Sequence, residues 1–160
     1  NELAEESGLD PVLIKTLGAI ESGIHVNKDT GKLNPWNPVG DSGEGKGASM
    51  GMFHVRSDPA KGAAVEEYNN QNGTNYTWKD IASNPRLSAS IGVWYYKFWL
   101  DQHPDDPWKA YAKYNGGPGG LQKPTAMQNA DRFMDITDLF FESKNFAKTS
   151  AIFEGIAKAA

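Results

Sequence analysis

The sequence predicts an all-α domain, α+β at most, from three observations. Apolar residues recur at helical spacing, Asx-Pro dipeptides head those stretches, and no run shows the alternation of a convincing strand. At 160 residues the chain suits one hydrophobic core better than two, so a single domain over residues 1–160 is expected.

The elements follow in chain order. Asp10-Pro11, Asp58-Pro59, Asn84-Pro85 and Asp106-Pro107 each supply an N-cap acceptor followed by Pro at the first helical position, where its missing N–H costs nothing. Behind Pro11, Leu13, Leu17 and Ile20 recur at i, i+4 and i+7. Behind Pro85, Leu87, Ile91, Trp94, Tyr95 and Phe98 make a wider stripe on a longer helix. From Pro107 a short helix runs to about Asn115, with Tyr111 and Tyr114 on one face, and stops at Gly116. From about Thr125 the helical pattern continues through Ala130, Phe133, Thr137, Phe140 and Phe141. Phe146, Ile152, Phe153 and Ile156 form a further apolar set expected to fold back on the body. Between Gly23 and Ala48 the periodicity gives way to Gly, Asn, Pro and Asp. A long loop is expected there, with a small hairpin in residues 24–47 as the one candidate for β structure.

Composition excludes several functions. A net charge of −4 with scattered Lys and Arg offers no stripe for phosphate neutralisation, so no nucleic acid partner is expected. The absence of cysteine removes disulfides, thiol nucleophiles and thiolate metal sites. His25, His54 and His103 show no ligand spacing, so neither a metal nor any other cofactor is expected, and His25 and His103 are expected to be solvated. No apolar run reaches the length of a membrane span.

One carboxylate stands out. Glu21 lies one turn beyond Leu17 and Gly18 and two beyond Ile14, at the edge of a buried stripe and at the C-terminal end of its helix. Partial burial and the negative end of the helix dipole both disfavour its ionised form, and no cation stands at i−3 or i−4 to oppose them. Such a carboxyl can keep a proton near neutrality and act as a general acid. A glutamate that merely points to water is the commoner case. Two later segments favour the acid reading: Gly51-Met52-Phe53 and Tyr114-Asn115-Gly116-Gly117 combine apolar surface, an amide and bare backbone, which suit an N-acetylated sugar.

Glu21-Ser22, Gly51-Met52-Phe53-His54 and Lys113-Tyr114-Asn115-Gly116-Gly117, in that order, resemble the motifs of the lytic transglycosylases of the Slt type together with goose-type lysozyme. That family carries a Glu-Ser pair at a helix end, a Gly-Leu-Met-Gln segment, and an Ala-Tyr-Asn-Ala-Gly segment. The resemblance spans about residues 4–121 and implies a lysozyme-like helical domain that cleaves peptidoglycan glycan strands. It implies Glu21 as catalytic acid and Tyr114 as the tyrosine approaching it. Ser22, Met52, Phe53, His54, Asn115 and Gly116 are implied on the substrate side. His54 stands where the family has Gln and adds a group titrating near neutral pH; if it must accept a hydrogen bond, activity should fall below about pH 6. Lys113 and Gly116 replace small alanines.

The resemblance leaves two products open. In a transglycosylase the substrate's own C6 hydroxyl closes onto the anomeric carbon, giving a 1,6-anhydromuramoyl end with one protein carboxylate. An inverting muramidase needs a second carboxylate to hold a water. Asp41, in Gly40-Asp41-Ser42-Gly43, is the candidate, although a turn aspartate beside glycines is the simpler reading; Glu44 is weaker. A metal-dependent peptidoglycan endopeptidase and a noncatalytic glycan-binding module are the remaining alternatives. A monomer acting on the cell wall, periplasmic or extracellular, is expected, with a phage lysin as the favoured setting and virion association left open.

Overall fold

The computed structural model describes residues 2–21, 49–50, 53–56 and 64–142. Seven helices occur among them: α1 (Glu2–Ser7), α2 (Pro11–Glu21), α3 (Ala64–Asn72), α4 (Trp78–Ser83), α5 (Pro85–Gln102), α6 (Pro107–Gly116) and α7 (Pro124–Glu142), with a 3-10 turn at Gly120–Gln122. Two short strands, β1 (Ser49–Met50) and β2 (Val55–Arg56), pair antiparallel with Met50 opposite Val55. The domain is all-α in class. The expected hairpin in residues 24–47 lies outside the described residues, as do Asp58-Pro59 and the apolar set from Phe146 to Ile156.

The three remaining Asx-Pro starts cap as their chemistry dictates. Asp10 Oδ1 accepts from Val12 N at 2.7 Å, Asn84 Oδ1 from Leu87 N at 3.0 Å and Asp106 Oδ1 from Lys109 N at 3.0 Å, each satisfying a donor that the first helical turn leaves unpaired. Helix α6 runs to Gly116 and is capped by Gly117, whose φ of 73° needs no Cβ to be accommodated.

Helix α5 is the centre of the domain. Ile91 and Tyr95 of its expected stripe are buried, but so are Ser88, Gly92, Val93, Tyr96 and Trp99, because α5 is covered from several sides by α1, α3, α4, α6 and β2. Trp99 and Trp94 belong to this core or pack against it. Helix α7 closes the other side over α2 and α6. There Ala126, Ala130, Phe133, Thr137 and Phe140 are buried, and Thr137 Oγ1 satisfies itself on the Phe133 carbonyl at 2.8 Å while facing Thr16 Oγ1 at 3.3 Å. Phe141, expected inside, is 61% exposed. Phe140 takes the place against Val12 and Ala19 of α2, and the next residue, turned by about 100°, faces outward.

Periodicity did not reveal α1, since none of its six residues is buried. It is tied to α5 from outside, where Arg86 pairs with Glu2 and, at 2.9 Å, with Glu6. The β pair was equally illegible, two residues per strand being too short to alternate.

Candidate active site

Glu21 ends α2 and is 7% exposed. A phenol from α6 reaches it there: Tyr111 Oη donates to Glu21 Oε1 at 2.5 Å. The ring of Tyr111 has little freedom. It stacks on Phe133 of α7, with centroids 4.5 Å apart and planes 10° apart, and on Tyr114, with centroids 5.9 Å apart. Burial, then the negative charge of Glu21, push the Tyr111 phenol well above its ordinary range; the Asn115 amide, one turn on, opposes them. Tyr111 therefore stays a donor wherever the carboxylate is ionised.

The other side of the carboxylate belongs to the β1–β2 turn. His54 Nδ1 lies 3.6 Å from Glu21 Oε2, with the imidazole 22% exposed. The turn is held by its neighbour Phe53, whose ring is 3% exposed in the core. A Cβ on Gly92 would stand 2.5 Å from Phe53 Cβ, so the ring seats in a notch that only glycine leaves open on α5. Tyr114 Oη donates to the Phe53 carbonyl at 2.6 Å, and its phenol is pushed well above its ordinary range by burial and then by the Glu21 charge.

The expected residues thus separate. Glu21, His54 and Tyr114 come together. Tyr114 is close enough to feel the Glu21 charge, but the phenol bonded to the acid is Tyr111, and Tyr114 secures the turn instead. Phe53 contributes its carbonyl, while its ring is core. Asn115 is exposed at the end of α6 and accepts from Asn129 Nδ2 of α7 at 3.1 Å. Gly116 lets α7 approach, since a Cβ there would meet Ala126 Cβ at 2.9 Å; its carbonyl accepts from Lys123 Nζ at 2.6 Å. Lys113 turns to Trp99, with Nζ 4.8 Å from the ring centroid. Ser22, Asp41, Glu44, Met52 and His25 lie outside the described residues. His103, expected to be solvated, is partly buried at the C-cap of α5, where its backbone N–H donates to the Leu100 carbonyl. Among the described residues no group of three or more His, Asp or Glu is placed to hold a metal ion.

Tyr111 and Gly92 were not singled out as site residues by the sequence. The signal for Tyr111 was its i, i+3 relation to Tyr114, which puts both phenols on one face of α6. Nothing local marked Gly92.

Burial and the C-terminal end of α2 favour a protonated Glu21; the hydrogen bond from Tyr111 and any positive charge on His54 favour the carboxylate. A carboxyl balanced between such influences can donate a proton and later recover it, which is the task of the acid in glycosidic cleavage. The family model described as Transglycosylase SLT domain matches residues 1–136, and the chain belongs to that family. Its members are lytic transglycosylases acting on peptidoglycan; the chain is an enzyme of this class, and its substrate places it at the cell wall. Neither the curated proteins nor the solved structures gave a match. No helix among the described residues is long and apolar enough to cross a membrane.

Proposed function

We propose that this domain, as a monomer, cleaves the β-1,4 bond between N-acetylmuramic acid and N-acetylglucosamine, with Glu21 as the catalytic acid and a 1,6-anhydromuramoyl end as product. The observation that carries this reading is the buried carboxylate at the end of α2 with a phenol donating to one oxygen and an imidazole beside the other. Glu21 gives its proton to the glycosidic oxygen as the bond to the anomeric carbon breaks. The muramoyl C6 hydroxyl then bonds to that carbon, and its proton returns to the Glu21 carboxylate. No water is consumed and no second carboxylate is required.

Mass spectrometry of digested walls tests the product. Muropeptides lighter by one water than those released by a muramidase are expected. Reducing-end muramic acid alone would instead assign an inverting hydrolase, in which Asp41→Asn should remove most activity.

A further inference from the structure

His54 stands out because the motif it occupies carries Gln, and because the structure gives the replacement a definite partner. The imidazole is not on a free loop. It is fixed on one side by Val55, which pairs with Met50, and on the other by Phe53, whose ring fills the Gly92 notch and whose carbonyl is held by Tyr114. His54 itself has φ 46°, in the left-handed region, which histidine tolerates better than most residues with a Cβ. The backbone thus aims Nδ1 at Glu21 Oε2, 3.6 Å away, while Tyr111 occupies Oε1.

We infer that His54 and Glu21 form a proton-sharing pair, in which His54, as a positioning residue, decides how much of Glu21 is in its acid form. The inference rests on the reading of Glu21 as the catalytic acid. At 3.6 Å a charge on either group changes the cost of charging the other, so their protonation is coupled. An imidazolium next to Oε2 stabilises the carboxylate. Over the window between the two macroscopic steps the single proton is therefore divided between the two groups, and the share on His54 is lost to the reaction. An uncharged amide at 54 takes no such share. Glu21 would then keep its proton to higher pH.

Among the described residues, the titratable groups in contact with the pair and its phenols lie on α2, α5 and α6. From α2 comes Glu21 itself, from α6 Tyr111 and Tyr114, and from α5 Tyr95 in ring contact with Tyr114 at 5.6 Å. All three phenols are pushed upward by burial and remain neutral where the pair titrates. The sign differs from the sequence expectation. Requiring a neutral His54 as an acceptor predicts a fall in activity below about pH 6. Proton sharing instead predicts that His54 pulls in the alkaline limb.

The test combines NMR with pH profiles. The His54 ring is titrated by heteronuclear NMR in the wild-type protein and in Glu21→Gln, its signal assigned by its loss in His54→Gln. Removal of the carboxylate should lower the His54 midpoint by about one pH unit. In parallel, the alkaline limb of kcat/KM for His54→Gln and for His54→Asn, which accommodates the left-handed backbone, should move up by about one pH unit. A His54 midpoint unchanged in Glu21→Gln overturns the pair, whatever the activity; so does an alkaline limb unmoved in both His54 variants. Wild-type lysis by Glu21→Gln would instead overturn Glu21 as the acid. Should the His54 variants fail to fold, the titration in Glu21→Gln decides alone, with the ring assigned by through-bond correlation.

Discussion

Tyr111 donates its phenolic hydrogen to Oε1 of Glu21 at 2.5 Å, across 90 residues of sequence. The bond joins the end of α2 to the middle of α6 and aims one carboxylate lone pair, leaving Oε2 toward the β1–β2 turn. A hydrogen bond to a carboxylate favours ionisation, so Tyr111 lowers the cost of the charged state left after proton donation.

Glu21→Gln keeps the shape and the acceptor for Tyr111 but holds no transferable proton. Lysis of purified walls, followed by turbidity, should fall by at least about a hundredfold, the lower range for loss of a general acid. The far-UV circular dichroism spectrum should be unchanged. Retained activity would remove Glu21 from the mechanism.

Tyr111→Phe deletes the hydroxyl while keeping the ring on Phe133. The loss of a buried hydrogen bond to a charged group should cost about 1.5–3 kcal/mol at neutral pH, measured by urea unfolding. Without the donor the carboxylate is less stabilised, so the alkaline limb of activity should move upward. Tyr114→Phe removes the Phe53 contact instead, and should leave that limb nearer the wild-type position.

Tyr95, Tyr96, Tyr111 and Tyr114 are all pushed upward by burial. Their folded-state values lie above the unfolded value near 10, so the unfolded chain releases protons first. The stability they confer is complete below about pH 10 and is lost as pH rises through the folded values. Each should contribute a slope of about −1.4 kcal/mol per pH unit in that window. Urea unfolding at stepped pH values above 9 should show stability falling steeply, with a shallower slope in Tyr111→Phe. A flat profile to pH 11 would contradict it.

Gly92→Ala puts a methyl 2.5 Å from Phe53 Cβ. Neither the α5 backbone nor the base of the Phe53 side chain can swing aside, so the turn must move. A loss of about 1–3 kcal/mol is expected, the usual cost of overpacking. Because His54 and the Tyr114 acceptor ride on that turn, activity should fall as well. Because the nearest clash is with Phe53 Cβ, which leucine keeps, Phe53→Leu in the same chain should restore neither, measured by thermal unfolding and wall lysis.

The sequence by itself determined what depends on neighbours a few residues away. Asp10, Asn84 and Asp106 cap their helices because a short acceptor before proline finds the second or third helical N–H without help from the rest of the fold. The edge position of Glu21 follows from the 3.6-residue period alone. Only the tertiary structure decided which phenol reaches that carboxylate: Tyr111 and Tyr114 share a face of α6, and the packing of α6 on α7, where Tyr111 stacks on Phe133, gives Glu21 to Tyr111 and the Phe53 carbonyl to Tyr114. It also decided that the ring of Phe53 is core, because a glycine 39 positions away leaves the notch, and that Phe140 rather than Phe141 faces α2. Those outcomes rest on close packing between elements distant in sequence, where a single Cβ or a turn of 100° changes the partner, and no local pattern carries that information.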